Sequence, residues 1–176
     1  MTADSASVIT VFGANNAVEA SAAYQGARDV GWVLAKLGYT VANGGYGGTM
    51  EASACGAKGA GGRTIGVTCK VWKSRPNAYI DREVKTVDLF ERLRTLIDLG
   101  STGYVALPGA TGTLVELAAV WELVGKGMIE DRPIVCVGRF WQPLVEMIRA
   151  QRSGSEKHIC VVDGPGDLPA HFAVVR

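Results

Sequence analysis

The sequence predicts an α/β fold in which a parallel sheet of about seven strands is flanked by helices in three layers. Three observations carry this. Short β-type runs alternate with helical stretches almost throughout, which is the order that βαβ units produce. Glycine-rich segments stand directly after two of those runs, and a turn that opens on Gly13 after a third, where the strand-to-helix turns of a parallel sheet fall. The length of 176 residues suits one hydrophobic core, so residues 1–176 are read as a single domain without a linker.

The elements follow in order. An apolar β-branched run at residues 8–12 is the first strand, and residues 20–37 form a helix that stops at Gly38, a residue suited to a helix end. A strand at residues 40–42 leads through a glycine cluster into a helix after Thr49. Strands at residues 64–68 and 84–87 are joined by residues 70–82, the one long connection without a clear period. Its Arg75-Pro76-Asn77 centre reads as a mobile surface loop, of the kind that often covers a site. A third helix opens at Asp88. The fifth strand, residues 104–107, feeds a helix over residues 113–124. A strand at 134–137, a helix at 141–150 and a strand at 159–162 complete the series.

Composition removes several function classes. A formal charge of +1, with no run of lysine or arginine, offers no field for holding a nucleic acid polymer. No apolar segment approaches the ~18–20 residues that cross a bilayer, and the first seven residues lack the basic start and apolar stretch of a secretory signal. No membrane partner is therefore expected, and the location is read as cytoplasmic. Cys55, Cys69, Cys136 and Cys160 lie far apart with no C-x-x-C pair, and are read as reduced, largely buried thiols. With His158 and His171 as the only histidines, no metal site is implied.

In a parallel sheet, ligands bind outside the carboxyl ends of the strands. Three segments fall there: Gly13-Ala14-Asn15-Asn16; Gly44-Gly45-Tyr46-Gly47-Gly48-Thr49; and Pro108-Gly109-Ala110-Thr111-Gly112-Thr113. Glycine lets backbone approach a ligand closely, and the helix that follows presents unpaired N–H groups and a partial positive charge, a combination that suits phosphate. Tight turns alone would also use glycine, but two such loops on one rim point to an anion site. Neither matches G-x-G-x-x-G or carries the G-K-[ST] of a triphosphate loop.

Two charged residues stand out on apolar helices. Glu116 follows Thr113 on a helix whose other residues are almost all apolar, so the helix is expected to pack under the sheet and against another subunit. Thr113-x-x-Glu116 fits a capping box, while the same carboxylate beside a phosphate loop could support charge on a sugar. Asp88-x-x-Glu91 fits a second capping box. Arg92 then projects into the apolar stripe of Leu89, Leu93, Leu96, Ile97 and Leu99, either snorkelling to water or paired with an anion. Arg94, at the stripe's edge, is read as solvated or as a subunit contact.

Pro108 to Glu116, reading PGATGTLVE, resembles the P-G-G-x-G-T-x-x-E signature of the LONELY GUY family, long labelled lysine decarboxylases. Asn43 to Met50 resembles that family's other glycine loop, and Phe90 to Arg94 its arginine-bearing helix. The resemblance implies a Rossmann-like nucleotide-binding fold, at least a homodimer, and cleavage of nucleoside 5′-monophosphates such as AMP or cytokinin nucleotides to free base and ribose 5-phosphate. It implies Arg92 and Glu116 as the catalytic pair, with Arg92 holding Glu116 ionised. Gly13, Gly44, Gly45, Gly47, Gly48, Thr49, Pro108, Gly109, Gly112 and Thr113 would form the phosphate and nucleotide site, with no cofactor. Ala110, Phe90, Leu93 and Val115 depart from the pattern of many active members, which carry glycine, histidine, lysine and glutamate there. Some relatives with a similar loop carry the molybdenum cofactor instead of hydrolysing a nucleotide.

Overall fold

A computed structural model describes residues 7–173. All but Ser7 of the segment read for a secretory signal lies outside them. The elements are β1 (Val8–Phe12), α1 (Ala22–Lys36), β2 (Thr40–Asn43), α2 (Thr49–Gly59), β3 (Thr64–Cys69), β4 (Arg82–Thr86), α3 (Leu89–Leu99), β5 (Gly103–Ala106), α4 (Thr111–Gly125), β6 (Ile134–Val137), α5 (Gln142–Gln151) and β7 (Ile159–Val162). The strands form one sheet, all neighbours parallel, in the order β4-β3-β2-β1-β5-β6-β7. The expected α/β class and strand number are those observed.

Central strands are covered on both faces, and β1, β2, β3, β5 and β6 are buried along their whole length. On one face α1 and α2 pack through Tyr24, Val30, Leu34, Ala52 and Ala57 against Ile9, Val11 and Val41. On the other, α3, α4 and α5 enclose Phe12, Tyr104, Ile134 and Cys136. Helix on sheet on helix is the predicted three-layer arrangement. From β1 the chain winds outward to β4, then returns to the other side of β1 and winds through β5 to β7. The winding reverses between β1 and β5, and a crevice opens where their following loops diverge.

Some boundaries differ from expectation for local reasons. Strand β4 starts at Arg82, two residues early, because the register from Ile65↔Arg82 to Cys69↔Thr86 continues into a charged edge. Its Arg82, Glu83 and Lys85 are exposed, as edge strands commonly are charged. On α3, the Asp88 carboxylate accepts the Glu91 N–H at 2.8 Å, while Glu91 reaches back to the Val87 N–H at 2.6 Å, one residue before the cap. Leu89 is 52% exposed and leaves the apolar stripe, whereas Leu96 and Ile97 are buried. The four cysteines are free, with Cys69 and Cys136 buried. No helix among the described residues is long and apolar enough to cross a membrane.

Residues 70–81 join two parallel neighbours without a helix, so they must run from the carboxyl end of β3 back to the amino end of β4. The connection read as a mobile loop is tied down in its second half. Asn77 donates its N–H to the Gly45 carbonyl at 2.8 Å and its side-chain amide to the Tyr46 carbonyl at 2.8 Å. Asp81 accepts the Thr64 N–H at 2.9 Å. Only residues 71–75 are left to stand over the crevice.

Candidate active site

Helix α4 begins two residues earlier than expected, and this changes the role of its first residues. Ala110 is the N-cap, Thr113 is the third helical residue, and no side chain caps the helix. The expected Thr113–Glu116 capping box is therefore absent, and Glu116 lies a turn further on, free of any backbone duty. The first N–H groups of a helix have no partner within it. At α4 the residues that carry them, Thr111, Gly112 and Thr113, line the crevice. Ala110 adopts φ −97°, so the position occupied by glycine in the resembling signature requires no left-handed backbone here. Gly109 is the constrained position, since a Cβ there would run into the Thr113 side chain.

The other glycine loop is used differently. The Thr49 N–H and hydroxyl both donate to the Ala14 carbonyl, at 2.8 and 3.0 Å, which ties the start of α2 to the loop after β1. Gly48 turns the chain into the helix with φ +67°, and a Cβ there would strike that same Ala14 carbonyl. Gly44 lies against the Arg92 guanidinium and the Met50 sulfur, with no room for a methyl. Loop 44–49 is thus chiefly a scaffold that holds Arg92 and the β1 loop.

Arg92 is 7% exposed, which selects the buried pair over the snorkelling reading. Its Nε–H donates to the Val67 carbonyl at 2.8 Å and its Nη2 to the Gly44 carbonyl at 3.2 Å, while Nη1 stands 3.4 Å from Glu116 Oε1. The guanidinium also lies 5.7 Å from the Tyr46 ring and 5.2 Å from the Trp72 ring, a cation–π arrangement. Tyr46 accepts the Cys69 N–H at 2.8 Å, which fixes that ring. Five separate contacts immobilise one side chain.

Glu116 has only the single, long contact with Arg92. Burial pushes its carboxyl up to about 7, and the neighbouring guanidinium offsets only part of that rise. Arg92 thus favours the ionised form of Glu116, as expected of that pairing, while burial opposes it. Such a carboxyl is poised to take up or release a proton at neutral pH.

The crevice has a volume of about 850 Å³, within the range of small-molecule sites. Of the residues singled out from sequence, Gly13, Gly47, Arg92, Gly112, Thr113 and Glu116 line it. Gly44, Gly45, Gly48, Thr49, Pro108 and Gly109 stand behind that lining. Thr111, read from sequence as a hydroxyl donor of the same loop as Thr113, also lines the crevice, whereas sequence reasoning did not assign Tyr46 and Trp72, whose rings meet edge to face at 5.6 Å, nor Asn15 and Asn16. Their positions after strands were the available signal. Lys73 and Arg75 line the cleft from the connection that the sequence marked as a cover. Glu116 is the only carboxylate in the lining among the described residues. Arg94 is exposed. His158 and His171 line a separate cleft with Asp131 and Cys160, and no group of three or more potential metal ligands occurs among the described residues.

A family profile described as SLOG cluster4 matches residues 6–167. An uncharacterized protein of Archaeoglobus fulgidus is 33% identical over 129 residues, covering 73% of this chain and 82% of that protein. A Mycobacterium tuberculosis protein named cytokinin riboside 5′-monophosphate phosphoribohydrolase is 35% identical over 114 residues. That match covers 63% of this chain and 60% of the mycobacterial protein. In fold, the chain is similar to the molybdenum cofactor binding protein of Rippkaea orientalis, with a TM-score of 0.76, 21% identity and 94% of each chain covered.

Proposed function

The chain belongs to the SLOG cluster4 family, and from that premise we propose that it is a phosphoribohydrolase of nucleoside 5′-monophosphates such as AMP or a cytokinin nucleotide. The observation that carries the reading is Glu116: a buried carboxyl with its pKa near 7, one helical turn from three open N–H groups suited to phosphate. The name carried by the mycobacterial relative supports the same chemistry.

The substrate phosphate binds at the start of α4, on the N–H groups of Thr111, Gly112 and Thr113 and the threonine hydroxyls. This fixes the ribose beside Glu116, with the base toward Tyr46 and Trp72. As the bond between C1′ and the base nitrogen lengthens, positive charge grows on the sugar, and the ionised Glu116 carboxylate stabilises it. The same group orients the attacking water and takes its proton. The water oxygen bonds to C1′, and the base departs with the electron pair of the broken bond and takes up the proton that Glu116 received from the water. Arg92 positions the carboxylate and keeps part of it ionised.

A second reading is binding without turnover, as in a carrier of a phosphorylated pterin. The observation in its favour is that the cleft holds one carboxylate among the described residues, which leaves acid and base work to one side chain. Incubation with the common nucleoside 5′-monophosphates and their unphosphorylated nucleosides, followed by chromatography of free base and ribose 5-phosphate, separates the two. Equal yields of both products from a monophosphate, with the nucleoside untouched, are expected. Intact nucleotides together with tight binding of a phosphorylated pterin would establish the carrier.

A further inference from the structure

The phosphate end of the cleft does not account for the charge at its other end. Residues 70–85 carry five cations, Lys70, Lys73, Arg75, Arg82 and Lys85, against two anions, Asp81 and Glu83. A local balance of +3 on a chain of net +1 is a concentration, not an average. Both anions are already engaged: Asp81 pairs with Lys58 at 2.7 Å, and Glu83 accepts the Thr68 hydroxyl. Lys73 and Arg75 form no ion pair among the described residues.

Four of these cations, all but Arg82, line a second opening. Trp72, Lys73, Ser74 and Arg75 line the main cleft on one side, and the same four residues line an adjoining groove with Lys70, Lys85, Pro76 and one carboxylate, Glu83. The short stretch over the crevice is therefore a shared wall. A ligand seated with its phosphate on α4 and its base at Tyr46 and Trp72 would direct whatever the base carries toward that wall.

We propose that the site takes a nucleotide with a second anionic group beyond the base, and that Lys73 and Arg75 bind this distal charge. The inference rests on the nucleotide reading of the cleft and names the class of nucleotide. The distal charge can be a carboxylate on a substituted base or the phosphate of a linked second nucleotide. Both present the oxygen acceptors that lysine and arginine recognise.

Isothermal calorimetry compares AMP, N6-(1,2-dicarboxyethyl)-AMP and the linear dinucleotide pApA on the wild-type protein and on Lys73→Ala/Arg75→Ala. One of the two doubly anionic ligands is expected to bind about tenfold more tightly than AMP, 1.4 kcal/mol at 25 °C. That ratio should fall to near one in the double variant and shrink as salt rises from 0.05 to about 0.3 M. The ligand that shows the ratio identifies the source of the charge. A ratio near one for both ligands on the wild-type protein overturns the inference, as does a ratio that survives the double substitution. Hydrolysis of AMP with no such ratio would leave the phosphoribohydrolase reading standing alone. Tight, Lys73- and Arg75-dependent binding without base release would do the reverse.

Discussion

Glu116 couples the site's chemistry to the stability of the fold. Its carboxyl rises from an ordinary value of 4.5 to about 7 on folding, so the folded chain binds more protons than the unfolded one between those values. The contribution is most favourable below pH 4.5, is lost as pH climbs to 7, and stays lost above it. Glu116→Gln removes the ionisation and so escapes the loss. Relative to wild type, the variant should gain about 3 kcal/mol between pH 4 and pH 8. Thermal melts of both proteins across that range check this: the Tm difference should grow in favour of the variant up to pH 7 and then level off. A constant difference would mean that Glu116 titrates like a solvated carboxyl. Arg92 could be read from its place in the stripe of α3, because an arginine inside an apolar sector needs a partner. Its partner could not be read, because Val67, Gly44 and Glu116 lie 25, 48 and 24 residues away in sequence.

The first turn of α4 decides whether phosphate can bind. Thr111 and Thr113 both suit a helix start, and Thr113-x-x-Glu116 satisfied a local rule at the wrong register. The structure starts the helix at Thr111 because the chain leaves β5 through Gly109, which packs on Thr113. Gly109→Ala should push that turn aside and weaken phosphate or AMP binding by about tenfold, within the ~2 kcal/mol that a helix N-terminus gives an anion. Ala110→Gly should change affinity by less than about threefold, since the position already has negative φ. Titration of both variants with AMP tests the pair, and a larger effect at Ala110 than at Gly109 would contradict the assignment. Residues 70–81 show the same boundary of legibility. Their lack of period was visible, but the backbone carbonyls of Gly45 and Tyr46 that anchor Asn77 belong to another loop.

Across the whole molecule, alternation of strand and helix made the parallel sheet legible, while the strand order was not, because no local signal says on which side of β1 the chain returns. That return creates the crevice. The apolar side chains of Val87, Leu89, Phe90 and Val115 are exposed, Phe90 at 81%. They lie on α3, α4 and the turn before α3, the elements that carry Arg92 and Glu116. Exposed large apolar side chains on these two helices favour a second copy of the chain. Light scattering should give twice the monomer mass of 18.5 kDa or a multiple of it, and Phe90→Asp should return the mass to that of the monomer. A monomeric wild-type protein at micromolar concentration would remove the expectation.

The proposed chemistry rests on one side chain acting on one bond. Single-turnover release of free base from AMP, or from the monophosphate the panel selects, should be measured for wild type and Glu116→Gln at pH 7.5. Proton transfer by a placed group contributes ~10²–10⁴ in rate, so the variant should release base at least about a hundredfold more slowly while still binding the nucleotide. A loss smaller than about tenfold, ~1.4 kcal/mol of barrier, would contradict the assignment of Glu116 as the catalytic carboxylate.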